Sequence, residues 1–235
     1  MDTSSIPIYK ISNPVIGRFI RRYSRVSATV EIDGERVKAH LTNTGKLLDV
    51  LQPGISLLCM PIKAPKTKVR IIGSQAGNLF SVIDTLTQER IAKILFETGN
   101  MPGWKDWTLV KTNPAIGNTI YDFLVKDSTG KERIVELKSA VYYFPEDGSA
   151  RYPDTITTRA HRQFKIMLEN PDKFAILFVT AHPFARMFKP SHDDPQVVTL
   201  LKQLKDKHVP MNAIKLFMDQ SGRIFVETKP IPVVV

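Results

Sequence analysis

The sequence has 235 residues, of which 43% are hydrophobic and 24% charged, a composition typical of globular proteins that bury a substantial core. Lysine and arginine number 33 against 23 acidic residues, so the formal net charge is +10. This balance favours a polyanionic partner such as nucleic acid, although generic basic proteins share it. The single cysteine, Cys59, excludes an internal disulfide and a cysteine zinc site, and no Walker A loop or dinucleotide fingerprint is present.

The beginning of the sequence shows neither a signal-peptide pattern nor a long apolar segment. We therefore expect a cytoplasmic protein that does not contact a membrane. Residues 1 to about 14 lack hydrophobic periodicity and contain Pro7 and Pro14, so no helix or strand is predicted there.

Residues 17–83 have the pattern of a small β-barrel. Two apolar strands flank Asp33-Gly34, a dipeptide typical of two-residue hairpin turns. A turn signal and one short helical turn follow, and then three short strands separated by polar loops. Five short strands with one helical insertion favour the OB-fold, a barrel common among nucleic-acid-binding proteins. The sequence therefore predicts an OB-like nucleic-acid-binding domain over residues 1–83.

Basic residues are concentrated in two stretches of this predicted barrel. Residues 18–25 combine four arginines with Phe19 and Tyr23, and residues 63–68 form a basic loop. Cations attract phosphates and aromatic rings stack on unpaired bases. The alternative is that the rings belong to the core and the arginines are only solvated. The residues predicted to bind nucleic acid here are Arg18, Arg21, Arg22, Arg25, Lys46, Lys66 and Lys68.

From residue 84 the pattern becomes helical and then alternates between helices and strands. Thr85 and Gln88 have the spacing of a capping box, and Gly99 marks the end of this first helix. A second helix is predicted at 155–170 and a fully buried strand at 174–180. The sequence therefore predicts a mixed α/β domain over residues 84–235, with helices on a central sheet.

The predicted second helix carries Arg159, His161 and Arg162 in its first turns. Cations at a helix start oppose the helix dipole but suit a bound phosphate, which the free backbone amides also attract. Arg162 is therefore added to the predicted nucleic-acid-binding residues, and Arg159 to the predicted catalytic ones. A third helix is predicted to start at Asp194-Pro195.

The residues with the clearest chemical role lie in a predicted hairpin at 118–141. Its turn signal is the tripeptide at 128–130. If this tripeptide forms a three-residue loop, Asp122 lies directly opposite Glu136, and the two side chains share a face. Lys138, two residues after Glu136, points to the same face. A carboxylate within an apolar run must be neutralised, hydrogen-bonded or placed on a metal.

Two carboxylates that face each other repel, and a divalent cation between them removes this repulsion. Lys138 could then polarise a metal-bound water or offset charge on the phosphorus centre. An aspartate followed by Glu-x-Lys is the pattern of the PD-(D/E)xK metal-dependent nucleases, although Glu-x-Lys alone is ordinary charge alternation on a strand. We therefore predict that Asp122 and Glu136 bind Mg²⁺ or Mn²⁺ and act in catalysis with Lys138.

Several short motifs are spread over residues 15–230. They are residues 18–30, Asn43-Thr44-Gly45, Pro53-Gly54, Ser74-Gln75-Ala76-Gly77, Tyr121-Asp122-Phe123-Leu124, Val135-Glu136-Leu137-Lys138-Ser139, Tyr152-Pro153-Asp154 and Thr157-Thr158-Arg159. Each motif is short, but their order and spacing together are specific. In these motifs the sequence resembles the sugar fermentation stimulation protein (SfsA) family.

The resemblance implies an OB-like N-terminal domain, a PD-(D/E)xK nuclease-like C-terminal domain, DNA binding, and a regulatory link to sugar metabolism. Two departures from the family pattern concern the site. Ile94 occupies a position where an acid is expected, and Glu89 or Glu97 could take over its role. Gln163 replaces a histidine that is usual in the second helix.

Two classes of function remain open. The first is a Mg²⁺- or Mn²⁺-dependent nuclease in which Arg159 stabilises phosphate charge. The second is a DNA-binding regulator whose metal site is structural or vestigial. The fold cannot separate the two, because function depends on the site. The oligomeric state also stays open, with a homodimer as one alternative.

Overall fold

The structure is a computed structural model that describes residues 4–235. Its strands are β1 (Ser5–Lys10), β2 (Val15–Ser24), β3 (Ser27–Ile32), β4 (Glu35–His40), β5 (Ser56–Pro61), β6 (Val69–Ala76), β7 (Leu79–Val82), β8 (Thr108–Thr112), β9 (Ala115–Ile116), β10 (Thr119–Ile120), β11 (Phe123–Lys126), β12 (Glu132–Ala140), β13 (Tyr142–Phe144), β14 (Ser149–Tyr152), β15 (Phe174–Thr180), β16 (Met187–Pro190), β17 (Met211–Met218) and β18 (Arg223–Glu227). Its α-helices are α1 (Thr85–Glu97), α2 (Thr158–Glu169) and α3 (Pro195–Asp206), and a 3₁₀ turn covers Pro171–Lys173.

Strands β2 to β6 form a closed barrel. Neighbours follow the order β2-β3-β4-β6-β5, and β5 pairs with β2 again. All these pairs are antiparallel except β4 with β6. Asp33 and Gly34 have φ values of 52° and 80° and connect β3 to β4, which is the left-handed geometry of a two-residue hairpin. The predicted OB-like barrel is therefore confirmed.

The C-terminal half is a mixed α/β domain, as predicted. Its sheet runs β8-β11-β12-β15-β17, with β12, β15 and β17 parallel to one another. Every residue of β15 is buried. Leu177 and Val179 pack in the hydrophobic cluster that includes α1, whereas Ile176 and Phe178 pack in the cluster that includes α2 and α3. The sheet is thus covered on both faces, which explains the near-continuous apolar run of this strand.

One sheet passes through both halves of the molecule. Strand β7 pairs with β6 of the barrel and, through Phe80 and Met218, with β17 of the second sheet. Strand β1 pairs with β18, so this first strand does not belong to the barrel that follows it. The prediction of no strand before residue 14 is therefore wrong. The register of β1 shifts between Pro7 and Tyr9, an irregularity that accommodates proline within a strand.

Aspartate side chains cap the beginnings of α1 and α3. The predicted capping box at Thr85 and Gln88 is wrong, because Asp84 caps α1 by accepting a hydrogen bond from the Thr87 amide. The side chain of Gln88 donates to the Val82 carbonyl. Asp194 caps α3, as predicted. Within residues 4–235, no helix combines the length and the apolar character needed to cross a membrane.

Candidate functional site

The hairpin that carries the candidate site has the predicted register. Gly130 has a φ of 84°, and the Asp127 amide donates to the Lys131 carbonyl at 2.9 Å, which closes a three-residue loop. In β11 and β12, Phe123 pairs with Val135, and this register continued by one residue sets Asp122, which directly precedes β11, opposite Glu136. Asp122 and Glu136 line the same cleft.

Asp122 is held next to the strand edge by the backbone. Its Oδ2 accepts a hydrogen bond from the Leu137 amide at 2.6 Å. Burial raises the pKa of Asp122 to about 7, and the negative charge of Glu136 adds to this effect. The amide of Leu137 acts in the opposite direction but does not cancel the shift. Near neutral pH the carboxyl group therefore exchanges between its protonated and charged forms.

Glu136 and Lys138 form a buried ion pair. Their exposed fractions are 2% and 6%, and the Lys138 ammonium donates to Glu136 Oε1 at 2.7 Å. The same ammonium donates to Oε1 of Gln163, a residue of α2, at 2.8 Å. Burial acts to lower the pKa of Lys138, but Tyr152 and Glu136 outweigh it and raise the pKa above its ordinary value. Lys138 is therefore a stable cation.

Two polar atoms next to this ion pair have no hydrogen-bond partner among the described residues: Oε2 of Glu136 and Nε2 of Gln163. Unsatisfied buried polar atoms are rare and call for an explanation such as an absent ion or water. The sequence predicted Glu136 as a ligand. It gave no role to Gln163 beyond its replacement of a histidine, because its partner Lys138 lies on a different element.

The site opens into a cleft of about 670 Å³ between the barrel and the α/β domain. The barrel lines it with residues 42–45 and Arg25, and the α/β domain lines it with Glu89 and residues 151–160. Glu89 adds to the rise in the pKa of Asp122. Of the two glutamates considered for the missing acid, the structure thus brings Glu89 into the cleft. Glu97 forms an ion pair at 3.5 Å with Lys93, one helical turn earlier on α1.

Direct contacts join the two walls of the cleft. Oδ2 of Asp154 accepts a hydrogen bond from the Leu47 amide at 2.8 Å. A β-carbon on Gly45 would lie 2.5 Å from the Asp154 carboxylate oxygens, so a larger residue here would displace this carboxylate from its bond to Leu47. The side chain of Asn43 donates to the Ser139 hydroxyl at 3.4 Å. The Asn43-Thr44-Gly45 motif therefore forms part of the site.

Arg22 organises this loop of the barrel. Its guanidinium donates to five backbone carbonyl groups, those of Ser24, Arg25, Asn43, Gly45 and Lys46. Burial lowers the pKa of Arg22, and the charge of Asp154 opposes this effect. Nucleic-acid binding was predicted for Arg22 from its place in a basic run. In the structure its donors bind backbone carbonyls within the protein, and nucleic-acid binding by Arg22 stays a prediction.

The other predicted cations lie either in the lining of the cleft or outside it. Arg25 and Arg159 lie in the lining of the cleft. Arg21 is exposed and packs on the ring of Tyr23, with its guanidinium carbon 4.5 Å from the ring centre. The remaining predicted cations are exposed and lie outside the lining of the cleft: Arg18, Lys46, Lys66, Lys68 and Arg162. The predicted surface is therefore wider than the cleft.

Fold and site together define a class of protein: an OB barrel joined to a mixed α/β domain, with an Asp/Glu/Lys cluster in the cleft between them. Residues 20–82 match the family model of the SfsA N-terminal OB domain, and residues 86–222 match that of the sugar fermentation stimulation protein RE domain. The chain belongs to the sugar fermentation stimulation protein (SfsA) family.

Relatives of known sequence and structure cover nearly the whole chain. A sugar fermentation stimulation protein homolog from Pyrococcus furiosus is 33% identical over 210 residues, which are 88% of this chain and 90% of that protein. One from Archaeoglobus fulgidus is 27% identical over 231 residues, 97% and 99% of the two chains. The solved structure of Pyrococcus furiosus SfsA in complex with Ca²⁺ superposes with a TM-score of 0.90 at 29% identity and covers 98% of this chain and 100% of its own.

Proposed function

We propose that this protein binds DNA and hydrolyses phosphodiester bonds in the cleft in a reaction that depends on Mg²⁺ or Mn²⁺. The observation that carries the proposal is the unpartnered, buried Oε2 of Glu136, which lines the same cleft as Asp122. A second carboxylate with a raised pKa next to it is the electrostatic situation that a divalent cation relieves. The Ca²⁺ in the structure of the Pyrococcus furiosus relative agrees with a site for hard cations.

The residues present fit a cation that retains part of its hydration. Among residues 4–235, no three His, Cys, Asp or Glu side chains are grouped closely enough to form a metal site by themselves. Mg²⁺ is commonly bound by one or two carboxylates, with water and substrate phosphate completing the octahedron. Asp122 and Glu136 supply such a pair. When bound, the cation polarises a phosphoryl oxygen and lowers the pKa of a coordinated water.

The chain's own groups then have distinct roles. Lys138 stays protonated, so it offsets negative charge that develops on the phosphoryl group and does not act as a general base. Gln163 and Glu136 hold its ammonium in place. Arg159, exposed in the first turn of α2 and part of the lining, binds phosphate together with the free amides of that helix start.

We place the division between the two domains at residues 83 and 84, with the N-terminal part as the general DNA-binding domain. The net charge of +10 and the exposed Arg18, Arg21, Lys66 and Lys68 support this assignment. Contacts of this kind act on phosphates and do not depend on base sequence, so the resulting affinity decreases with salt.

One observation favours a second candidate, a non-catalytic DNA-binding regulator linked to sugar metabolism, as the family name implies. Within residues 4–235 the site lacks a third ligand, and its lysine is held by two internal acceptors. In such a protein Asp122 and Glu136 would serve structure alone. The two candidates make different predictions for cleavage.

The deciding experiment measures cleavage of labelled DNA in Mg²⁺, in Mn²⁺ and in chelator. We expect the parent to cleave only with metal and Glu136→Gln to lose at least about a hundredfold, as for other lost catalytic groups. Glu132→Gln is the matched control, because Glu132 lies exposed on the same strand. No metal-dependent cleavage by the parent, or equal cleavage by Glu136→Gln, would leave only the regulator.

A further inference from the structure

Glu136 and Lys138 lie at the bottom of the cleft, 2% and 6% exposed. The phosphates of a rigid double helix lie on the outside of a wide cylinder, so they cannot reach buried groups at the bottom of a cleft unless the cleft widens. A single strand is flexible enough to enter and bring one phosphate to these groups.

The walls of the cleft are fastened to each other, so widening it would break specific bonds. The Leu47 amide donates to Asp154 across the cleft, and the Tyr143 amide donates to Asp49 Oδ2 at 3.1 Å. Below them the sheet is continuous from β6 through β7 to β17. These bonds join the barrel to the α/β domain at several points. A bound strand must therefore adapt to the cleft.

The rim of the cleft carries exposed apolar side chains. Leu48 and Ile156, 73% and 69% exposed, are the most exposed large hydrophobic side chains of the described residues. They flank the hydrogen bond between Leu47 and Asp154, one from each domain. Ile156 lines the cleft. An exposed apolar side chain gains free energy when it packs against the face of an unpaired base, because both surfaces leave water.

The interior of the cleft has groups for bases and for phosphates. Tyr142, on β13, lines the cleft half-buried, and its ring packs edge-to-face with Phe144 at 4.6 Å between ring centres, which fixes an aromatic group in the wall. The charged lining residues balance, with four cations and four acids: Arg25, Lys138, Arg151, Arg159, Glu89, Asp122, Glu136 and Asp154. A divalent cation adds positive charge to this balanced lining and so strengthens the attraction of the cleft for phosphate.

From these observations we propose that the substrate of the cleft is a single nucleic-acid strand, or a single-stranded segment next to a duplex, whose unpaired bases contact Ile156 and Tyr142. The inference rests on the proposed function, because the cleft is taken as the place of reaction. It adds the class of substrate. Duplex DNA would bind only to the basic surface of the barrel and would not reach Asp122 and Glu136.

The test compares binding of labelled single strands and duplexes of the same sequence by fluorescence anisotropy, with Ca²⁺ or in chelator. With Ca²⁺ we expect the single strand to bind about tenfold more tightly than the duplex, and we expect this preference to disappear in chelator. Ile156→Ser should weaken single-strand binding about five- to tenfold, in the range of one lost base contact, and leave duplex binding unchanged. Ile6→Ser, an exposed isoleucine on β1, is the matched control.

Thermal melts must show that Ile156→Ser is folded, and Tyr142→Leu provides a second variant with the same expected loss. If duplex DNA were bound and cleaved as well as the single strand, the inference would be overturned and the proposed hydrolysis would stand. Unchanged single-strand affinity in both variants would overturn it too. If both variants reduced a preference for single strands but no metal supported cleavage, the inference about single-strand binding would stand and the proposed hydrolysis would be wrong.

Discussion

Replacing Asp122 with asparagine removes a charge that destabilises the metal-free fold. The pKa of this carboxyl group is raised from an ordinary value near 3.8 to about 7. A raised carboxyl pKa means that the folded protein binds the proton more tightly than the unfolded chain. The penalty for the charged form is therefore absent below about pH 4, increases between about pH 4 and 7, and is complete above.

The size of the effect follows from the shift. About three pKa units at 1.36 kcal/mol each give about 4 kcal/mol of lost stability at pH 8, an upper value for the metal-free protein. Asparagine keeps an acceptor for the Leu137 amide and carries no charge. For a chain of this size, each kcal/mol of unfolding free energy shifts the melting temperature by about 2–4 °C. We therefore expect Asp122→Asn to melt several degrees higher than the parent in chelator at pH 8, and closer to it at pH 4.

Addition of Mn²⁺ should reverse the order. A ligand at a hundred times its dissociation constant stabilises the folded state by about 2.7 kcal/mol, and only the parent should gain this. Glu136→Gln is the matched variant for which we expect a lower stability in chelator, because it leaves the buried ammonium of Lys138 without its carboxylate. If Asp122→Asn instead melted lower by the same amount in chelator and in Mn²⁺, Asp122 would be a structural hydrogen-bond acceptor and the metal pair would be refuted.

Other expectations concern metal affinity, DNA affinity and the cleft wall. Because Asp122 must lose its proton, Mn²⁺ affinity measured by calorimetry should fall about tenfold per pH unit below about pH 7; a constant affinity would contradict the assignment. Arg21→Ala should reduce the slope of log DNA affinity against log salt concentration by about one and leave the melting temperature unchanged. Arg22→Ala should lower the melting temperature, because Arg22 donates hydrogen bonds within the protein. The opposite pattern would mean that Arg22 contacts DNA and Arg21 stabilises the fold. Gly45→Ala should destabilise the protein, and Asp154→Ser should restore part of the lost stability by removing the carboxylate that the new methyl group meets. If the two substitutions changed the melting temperature additively in the double variant, this contact between positions 45 and 154 would be contradicted.

Features set by short stretches of sequence were predictable. The register of Asp122 and Glu136 depends on a glycine that adopts a left-handed conformation in a three-residue loop, and β15 on an unbroken apolar run. Features that depend on distant partners were not. Nothing near Arg22 reveals that three of its five hydrogen bonds go to carbonyls more than twenty residues further on, and nothing near Gln163 reveals Lys138. The cleft itself requires both domains, so its depth appears only in three dimensions.

The pairing of β1 with β18 also constrains the order in which the molecule can be assembled. Ser5 pairs with Glu227, so nearly the whole chain separates the two strands. Closing a loop of about 220 residues costs about 5 kcal/mol of chain entropy by the logarithmic rule. At roughly 5–20 residues per second, synthesis leaves β1 without its partner for about 10–45 s. The barrel can form during this interval, but the N-terminal strand must wait for the last strand before its backbone is paired.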